Sequence, residues 1–229
     1  MRLFAILASL AALLLASAAH AAPSLTIVAL GDSTTAGTPF FRSPVEAPPD
    51  GEGDAEAPYP KALEELRPGW KALNRGVNGE RSDEIRARFE RDVLQAKPRF
   101  VVILAGVNDV YQGRDLNSAE KDLSWMYERA KAAGIEPIAA TVLPFTRATP
   151  QQSARIRALN EWIVKRSPAF GASSCDTHAA AASKDDPDAL SGSPEGLHPD
   201  KDGYRAVAKA VAACVDQRLK AARRPKPAR

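Results

Sequence analysis

The sequence predicts an α/β fold, a flavodoxin-like three-layer α/β/α sandwich around a five-stranded parallel sheet. Three observations predict it. Short apolar runs recur along the chain, most clearly Leu25 to Leu30 and Phe100 to Leu104. Segments with helical spacing of apolar side chains alternate with them. The first three runs stop at or near a glycine followed by polar, reactive residue types, as strands of an open parallel sheet do where ligands bind.

The elements follow in order. Leu25 to Leu30 closes at Gly31 and reads as a buried strand. Ala72 to Val77 is a second strand, ending at the turn pair Asn78-Gly79. Phe100 to Leu104 is continuously apolar, which suits a parallel strand covered on both faces. Ile135 to Val142 stops before Pro144, and Ala172 to Thr177 is the last strand. Between them, Ser82 to Gln95 places Ile85, Phe89 and Val93 on one helical face. Asn117 to Ala133 carries a stripe of Leu123, Met126, Tyr127 and Ala130, with Asn117 and Glu120 as a capping box. Thr149, Pro150 and Gln152 open a helix bearing Ile156, Leu159 and Ile163, which stops near Pro168. Val207, Val211, Cys214 and Val215 share a face of the final helix.

One segment breaks the alternation. Residues 38–60 hold Pro39, Pro44, Pro48, Pro49, Pro58 and Pro60 among five acids, so neither helix nor strand is expected there. Such a loop is a functional rim or a tolerated insertion. Phe40, Phe41 and Arg42 are the candidate substrate contacts within it.

The chain has 229 residues, with 31 basic and 28 acidic side chains. Hydrophobic residues at 45% and charged residues at 26% exclude a disordered chain. Residues 1–21 read as a secretory signal peptide: Arg2, an apolar run from Leu3 to Ala16, and the small-x-small site Ala19-His20-Ala21. An uncleaved anchor is the alternative, but the run is short for a bilayer-spanning helix. No cysteine stands near the cleavage site to take a lipid anchor. Residues 22–217 are expected to form one domain, and 218–229 a flexible basic tail. That tail carries much of the positive charge and can touch nucleic acid or anionic lipid, but a solvated frayed end with two prolines is the expected reading, so nucleic acid is not an expected partner. No later apolar run predicts stable membrane insertion, and the expected location is periplasmic or secreted. There Cys175 and Cys214 can pair as a disulfide, free buried thiols being the alternative.

The strand ends carry the chemistry. Gly31-Asp32-Ser33 follows the first strand, Asn78-Gly79 the second, and Gly106-Val107-Asn108-Asp109 the third. Glu195-Gly196-Leu197-His198 precedes the last helix. A serine hydroxyl needs an imidazole to take its proton, and the imidazole needs a carboxylate behind it. Ser33, His198 and Glu195 supply these types, with Glu195 one turn before His198. Asp188, on a loop that could fold over the ring, is the reserve acid. An oxyanion needs donors, for which the backbone amides of Ser33 and Gly79 and the side-chain amide of Asn108 are candidates. A glycine at 79 is expected to let the backbone come close. His178 is the weaker candidate base.

These segments resemble the GDSL-type lipases and esterases, also called SGNH hydrolases. The matching stretches are GDST at 31–34, NRGVNGERS at 74–82, GVND at 106–109 and EGLHPDKDGY at 195–204. The resemblance implies a flavodoxin-like fold and hydrolysis of an ester or thioester. It implies Ser33 as nucleophile, Gly79 and Asn108 as oxyanion donors and His198 as base. Two departures stand out: Glu195 replaces the family's usual aspartate, and Val107 its usual glycine or threonine.

Other chemistries lack their motifs. There is no G-x-S-x-G, phosphate loop, dinucleotide fingerprint or H-E-x-x-H, so no cofactor and no metal is expected. The expectation is a serine esterase for a small-molecule, glycan or lipid ester, with short acyl groups favoured. A non-catalytic glycan-binding module and an acyltransferase are the alternatives.

Overall fold

The computed structural model describes residues 25–223. The expected signal peptide at 1–21 and the end of the basic tail lie outside the described residues. In chain order the regular elements are β1 (Leu25–Gly31), α1 (Ser33–Ala36), β2 (Phe41–Arg42), β3 (Glu52–Gly53), α2 (Tyr59–Leu66) and β4 (Trp70–Gly76). They continue with α3 (Ser82–Ala87), β5 (Phe100–Leu104), α4 (Val107–Tyr111), α5 (Leu116–Ala132) and β6 (Glu136–Ala140). The last are α6 (Pro150–Arg166), β7 (Ser173–Cys175), α7 (Thr177–Ala181) and α8 (Lys201–Ala222).

Five strands form a parallel sheet in the order β4-β1-β5-β6-β7. The order reverses at β1, which has β4 on one side and β5 on the other. In open α/β sheets ligands bind at such a switch point, outside the carboxyl ends of the strands. Strand alternation divides the core. Ile27, Ala29, Phe100 and Val102 face α2 and α8, while Val28, Leu30, Val101 and Ile103 face α3, α5 and α6. Both faces are covered, which is why these runs are continuously apolar. The Cys175–Cys214 disulfide ties β7 to α8, with Cα atoms 5.9 Å apart.

Several local expectations need correction. The stripe at 82–95 is not one regular helix: α3 ends at Ala87 and a wider π-type turn spans Glu90–Leu94, with Gln95 N–H donating to the Glu90 carbonyl. Ile85, Phe89 and Val93 are nonetheless all buried. The capping box at Asn117 is absent. Helix α5 starts after Asp115, and the Asn117 amide points back to that carboxylate. The box at Thr149 and Gln152 is formed.

The proline-rich segment also carries structure. Phe41 and Arg42 pair antiparallel with Gly53 and Glu52, and Tyr59-Pro60 opens α2, where a proline costs no helical hydrogen bond. Helix α8 continues through 218–222, because Leu219 packs on the core and Arg218 approaches Glu136 at 3.4 Å. Among the described residues no helix is long and apolar enough to cross a membrane.

Candidate active site

Ser33 stands at the first position after the β1 turn. The preceding residue, Asp32, caps α1 by accepting from Thr34 N (2.9 Å) and Thr34 Oγ1 (2.7 Å). The turn is tight because Gly31 has no side chain: a Cβ there would lie 2.3 Å from the Leu104 carbonyl oxygen. Asp32 is fully buried, and its Oδ2 has no hydrogen-bond partner among the described residues. Burial, opposed by the two Thr34 hydrogen bonds, pushes its carboxyl up to about 6.

His198 arrives from the loop before α8. Its Nε2 lies 2.8 Å from Ser33 Oγ, and its Nδ1 contacts Glu195 Oε1. Glutamate serves here because the two carboxylate oxygens divide the work. Oε1 reaches the ring, while Oε2 accepts from the backbone N–H of Leu197 (2.7 Å) and of His198 (3.1 Å). Partial burial opposes ionisation, but these hydrogen bonds outweigh it and hold Glu195 down at about 2. Ser193 Oγ completes the loop, donating to the His198 carbonyl (2.6 Å) and accepting from Gly196 N (2.8 Å).

The other expected donors also face this point. Ser33, Gly79, Asn108 and His198 line one cleft of about 350 Å³. Asn108 Nδ2 donates to the Glu80 carbonyl at 3.0 Å, which leaves the amide's second N–H for another acceptor. The reason for glycine at 79 is corrected. A Cβ there would meet nothing within 4 Å, whereas φ is +76°, in the left-handed region. The cleft's apolar wall is Val107, Tyr111, Phe145 and Leu197, with Tyr111 edge-on to Phe145 at 5.9 Å between centroids.

The remaining candidates lie elsewhere. The Asp188 carboxylate pairs with Arg157 and not with His198. His178 points its ring nitrogens at the carbonyls of Val142 (2.8 Å) and Pro187 (3.0 Å). Phe40, Phe41 and Arg42 do not line the cleft: Phe41 is buried, Arg42 pairs with Glu52 at 2.9 Å, and Phe40 lies under Lys201.

Sequence reasoning missed a set of supporting residues. The buried guanidinium of Arg88 donates to the Gly31 carbonyl (2.8 Å), the Arg75 carbonyl (2.9 Å), Asp92 (2.6 Å) and Glu80 (2.6 Å). It thereby joins the ends of β1 and β4. Asp109, also buried, accepts from Ser82 N (2.9 Å), Ser82 Oγ (2.8 Å) and Arg114 (2.6 Å), which fixes the start of α3 against α4. Ser82 and Asp109 close two of the quoted motifs, but nothing in the spacing pairs them. Arg88 looks like one more surface arginine of a charged helix.

With this arrangement in view, residues 29–206 match the model of the GDSL-like lipase/acylhydrolase family. The chain belongs to that family. It is 30% identical over 132 residues to the uncharacterized lipoprotein YqeF of Bacillus subtilis (strain 168), a match covering 52% of this chain and 48% of the relative. It is 36% identical over 64 residues to the acetylxylan esterase of Geobacillus stearothermophilus, covering 28% of this chain and 26% of that protein. The matches thus span about half or less of these curated relatives. The crystal structure of Axe2, an acetylxylan esterase from Geobacillus stearothermophilus, superposes with a TM-score of 0.67 at 22% identity, covering 84% of this chain and 94% of Axe2. A G-D-S-L family lipolytic protein from Desulfitobacterium hafniense DCB-2 gives 0.68 at 24% identity, covering 83% and 99%. Likeness at these identities establishes the GDSL fold, a three-layer sandwich on a five-stranded parallel sheet.

Proposed function

We propose that this family member is an exported serine esterase that cleaves short-acyl esters, acetyl esters of glycans foremost. The observation that carries the reading is the continuous contact from Glu195 through His198 to Ser33, with Oγ 2.8 Å from Nε2. A carboxylate at Nδ1 keeps the proton on that nitrogen and leaves the Nε2 lone pair facing the serine hydroxyl. Ser33 Oγ attacks the acyl carbon as its proton passes to His198 Nε2. The carbonyl oxygen becomes an oxyanion, received by the Ser33 and Gly79 amides and the free N–H of Asn108. His198 then protonates the leaving alcohol. Water attacks the acyl-serine, gives its proton to His198, and the acid departs.

Three features support the finer reading. The cleft of about 350 Å³ is near the lower end for ligand sites, which suits a small acyl group. A relative and a structural neighbour are acetylxylan esterases. Export is supported by the N-terminal pattern of the sequence, by the disulfide and by a relative named as a lipoprotein. The contact between Glu195 and His198 favours the catalytic reading over a non-catalytic binding module.

The test is covalent labelling with a fluorophosphonate, read by intact mass and peptide mapping. One adduct on Ser33 is expected in the wild type and none in Ser33→Ala. Absence of an adduct in folded wild type would overturn the proposal. Acetyl nitrophenyl esters should turn over faster than twelve-carbon ones, and Asn108→Ala should cost about 10²–10³ in kcat.

A further inference from the structure

The proline-rich segment 38–60 grips the turn that bears Gly79. Glu46, halfway along it, accepts from Asn78 N (3.0 Å) with Oε1 and from Asn78 Nδ2 (3.2 Å) with Oε2. The Thr38 hydroxyl donates to Asn78 Oδ1, and Ser43 Oγ donates to the Gly76 carbonyl at 2.5 Å. The turn is held from its other side as well: Gln112 Nε2 donates to the Gly79 carbonyl at 3.0 Å, while Gln112 Oε1 accepts from Arg81 at 3.3 Å. The peptide unit between Asn78 and Gly79 carries the Gly79 N–H. It is therefore fixed by a side-chain contact immediately before it and another immediately after it.

The same segment is anchored to the helix that follows His198. Tyr204 Oη donates to the Thr38 carbonyl at 2.6 Å, and Lys201 Nζ pairs with Asp54 at 2.5 Å. It spans from the start of α8 to the Asn78-Gly79 turn without lining the cleft beyond Thr38.

We propose that Glu46 is a positioning residue for the oxyanion donor at Gly79, and that segment 38–60 is the clamp that delivers it. The need for a clamp follows from the backbone. Gly79 has φ +76° and open space where a Cβ would be, so local sterics do little to prevent rotation of the flanking peptides. A rotated 78–79 peptide would turn its N–H away from the developing charge, and an oxyanion donor counts only when it is aimed in advance. Glu46 supplies that aim through two charge-assisted hydrogen bonds to the preceding residue. This inference rests on the esterase reading of the same site.

The experiment compares wild type, Glu46→Ala, Glu46→Met and Glu46→Gln, with kcat expressed per Ser33 site titrated by the fluorophosphonate. A role in folding alone would lower the titre and leave turnover per site intact. A positioning role lowers turnover per site. Loss of a whole donor costs about 10²–10³ in kcat, so loss of its aim is expected to cost about 10- to 100-fold, with KM within about twofold. Glu46→Gln keeps an oxygen for the Asn78 N–H and should recover most of the rate. Glu46→Met keeps the bulk without an acceptor and carries the test should Glu46→Ala fail to fold. Turnover per site within about twofold of wild type in the folded Ala or Met variant would overturn this inference alone. A wild type that takes no Ser33 adduct would overturn the site reading and this inference with it.

Discussion

Arg88 holds the carbonyl of Gly31 at 2.8 Å, two residues before Ser33, from just past the end of α3, the helix that follows the Gly79 turn. Its guanidinium is 8% exposed and also meets Asp92 and Glu80, each at 2.6 Å. The expected consequence of Arg88→Met is twofold. Glu80 loses its cation and Asp92 keeps Arg91 at 2.6 Å, which costs up to about 3 kcal/mol. The ends of β1 and β4 lose their tie, so turnover per titrated site falls as well. Urea denaturation and active-site titration on one preparation check both. A variant with wild-type stability would show that the cluster contributes nothing net.

Glu195 and Asp188 are separated by a simple pair of substitutions. Glu195→Gln should lower kcat by about 10³–10⁴, because the ring loses the charge that fixes its tautomer and stabilises the imidazolium. Asp188→Asn should leave kcat unchanged, since its carboxylate serves Arg157. The carboxylate of Glu195 stays ionised down to about pH 2. The acid limb of the pH–rate profile therefore reports another group, and a limb that vanished in Glu195→Gln would contradict this.

Asp32 makes stability depend on pH in an unusual direction. Its folded value of about 6 lies above the ordinary 3.8, because burial disfavours the charge. Between these values the folded protein keeps a proton that the unfolded chain has released. Stability from this group is thus greatest below about pH 4, falls as pH rises through about 6, and stays lower above it. The difference is about 3 kcal/mol. Asp32→Asn should remove that decline, so the variant gains on wild type between pH 4 and 7. Denaturation curves for both proteins at the two ends check it, and a constant difference would contradict it.

The Cys175–Cys214 disulfide closes a loop of sequence separation 39 between β7 and α8. Replacing both cysteines with serine should cost about 2–4 kcal/mol. The active-site loop leaves from the other end of α8, so kcat for the folded fraction should hold. Thermal denaturation with and without reductant, alongside turnover at 25 °C, measures the two effects.

The inner strands β1, β5 and β6 were legible because each is an apolar run with a stop signal, buried on both faces, whereas the edge strands β4 and β7 are half-exposed and carry a weaker pattern. The candidate donors and acid could be named because the fold class puts strand ends together and Glu195 stands one turn before His198. The clamp and the brace were not. Glu46 sits 32 positions from Asn78, and Arg88 sits 57 from Gly31. Such pairs leave no periodic trace, since a charged side chain reads alike whether it faces water or a buried carbonyl. Helix α2 was hidden by Pro58 and Pro60, which break a helix interior but suit its start. The π-type turn at Glu90–Leu94 was hidden because four-residue spacing buries the same face either way.

The position of β4 at the margin of the sheet carries one more consequence. Pro44, Pro49, Pro58 and Pro60 share a surface cleft with Lys71 to Arg75 of that strand, and Glu64 takes up the Ala72 N–H at 2.9 Å. A seven-residue sheet margin is a template on which another chain can add a strand, and here side chains of Glu64 and Asn74 already occupy the Ala72 and Gly76 amides. Prolines offer no N–H to continue such a ladder. The segment proposed to hold the Gly79 turn thus also covers a margin open to self-association. Shortening it to simplify the enzyme should yield aggregates before it yields a slower catalyst.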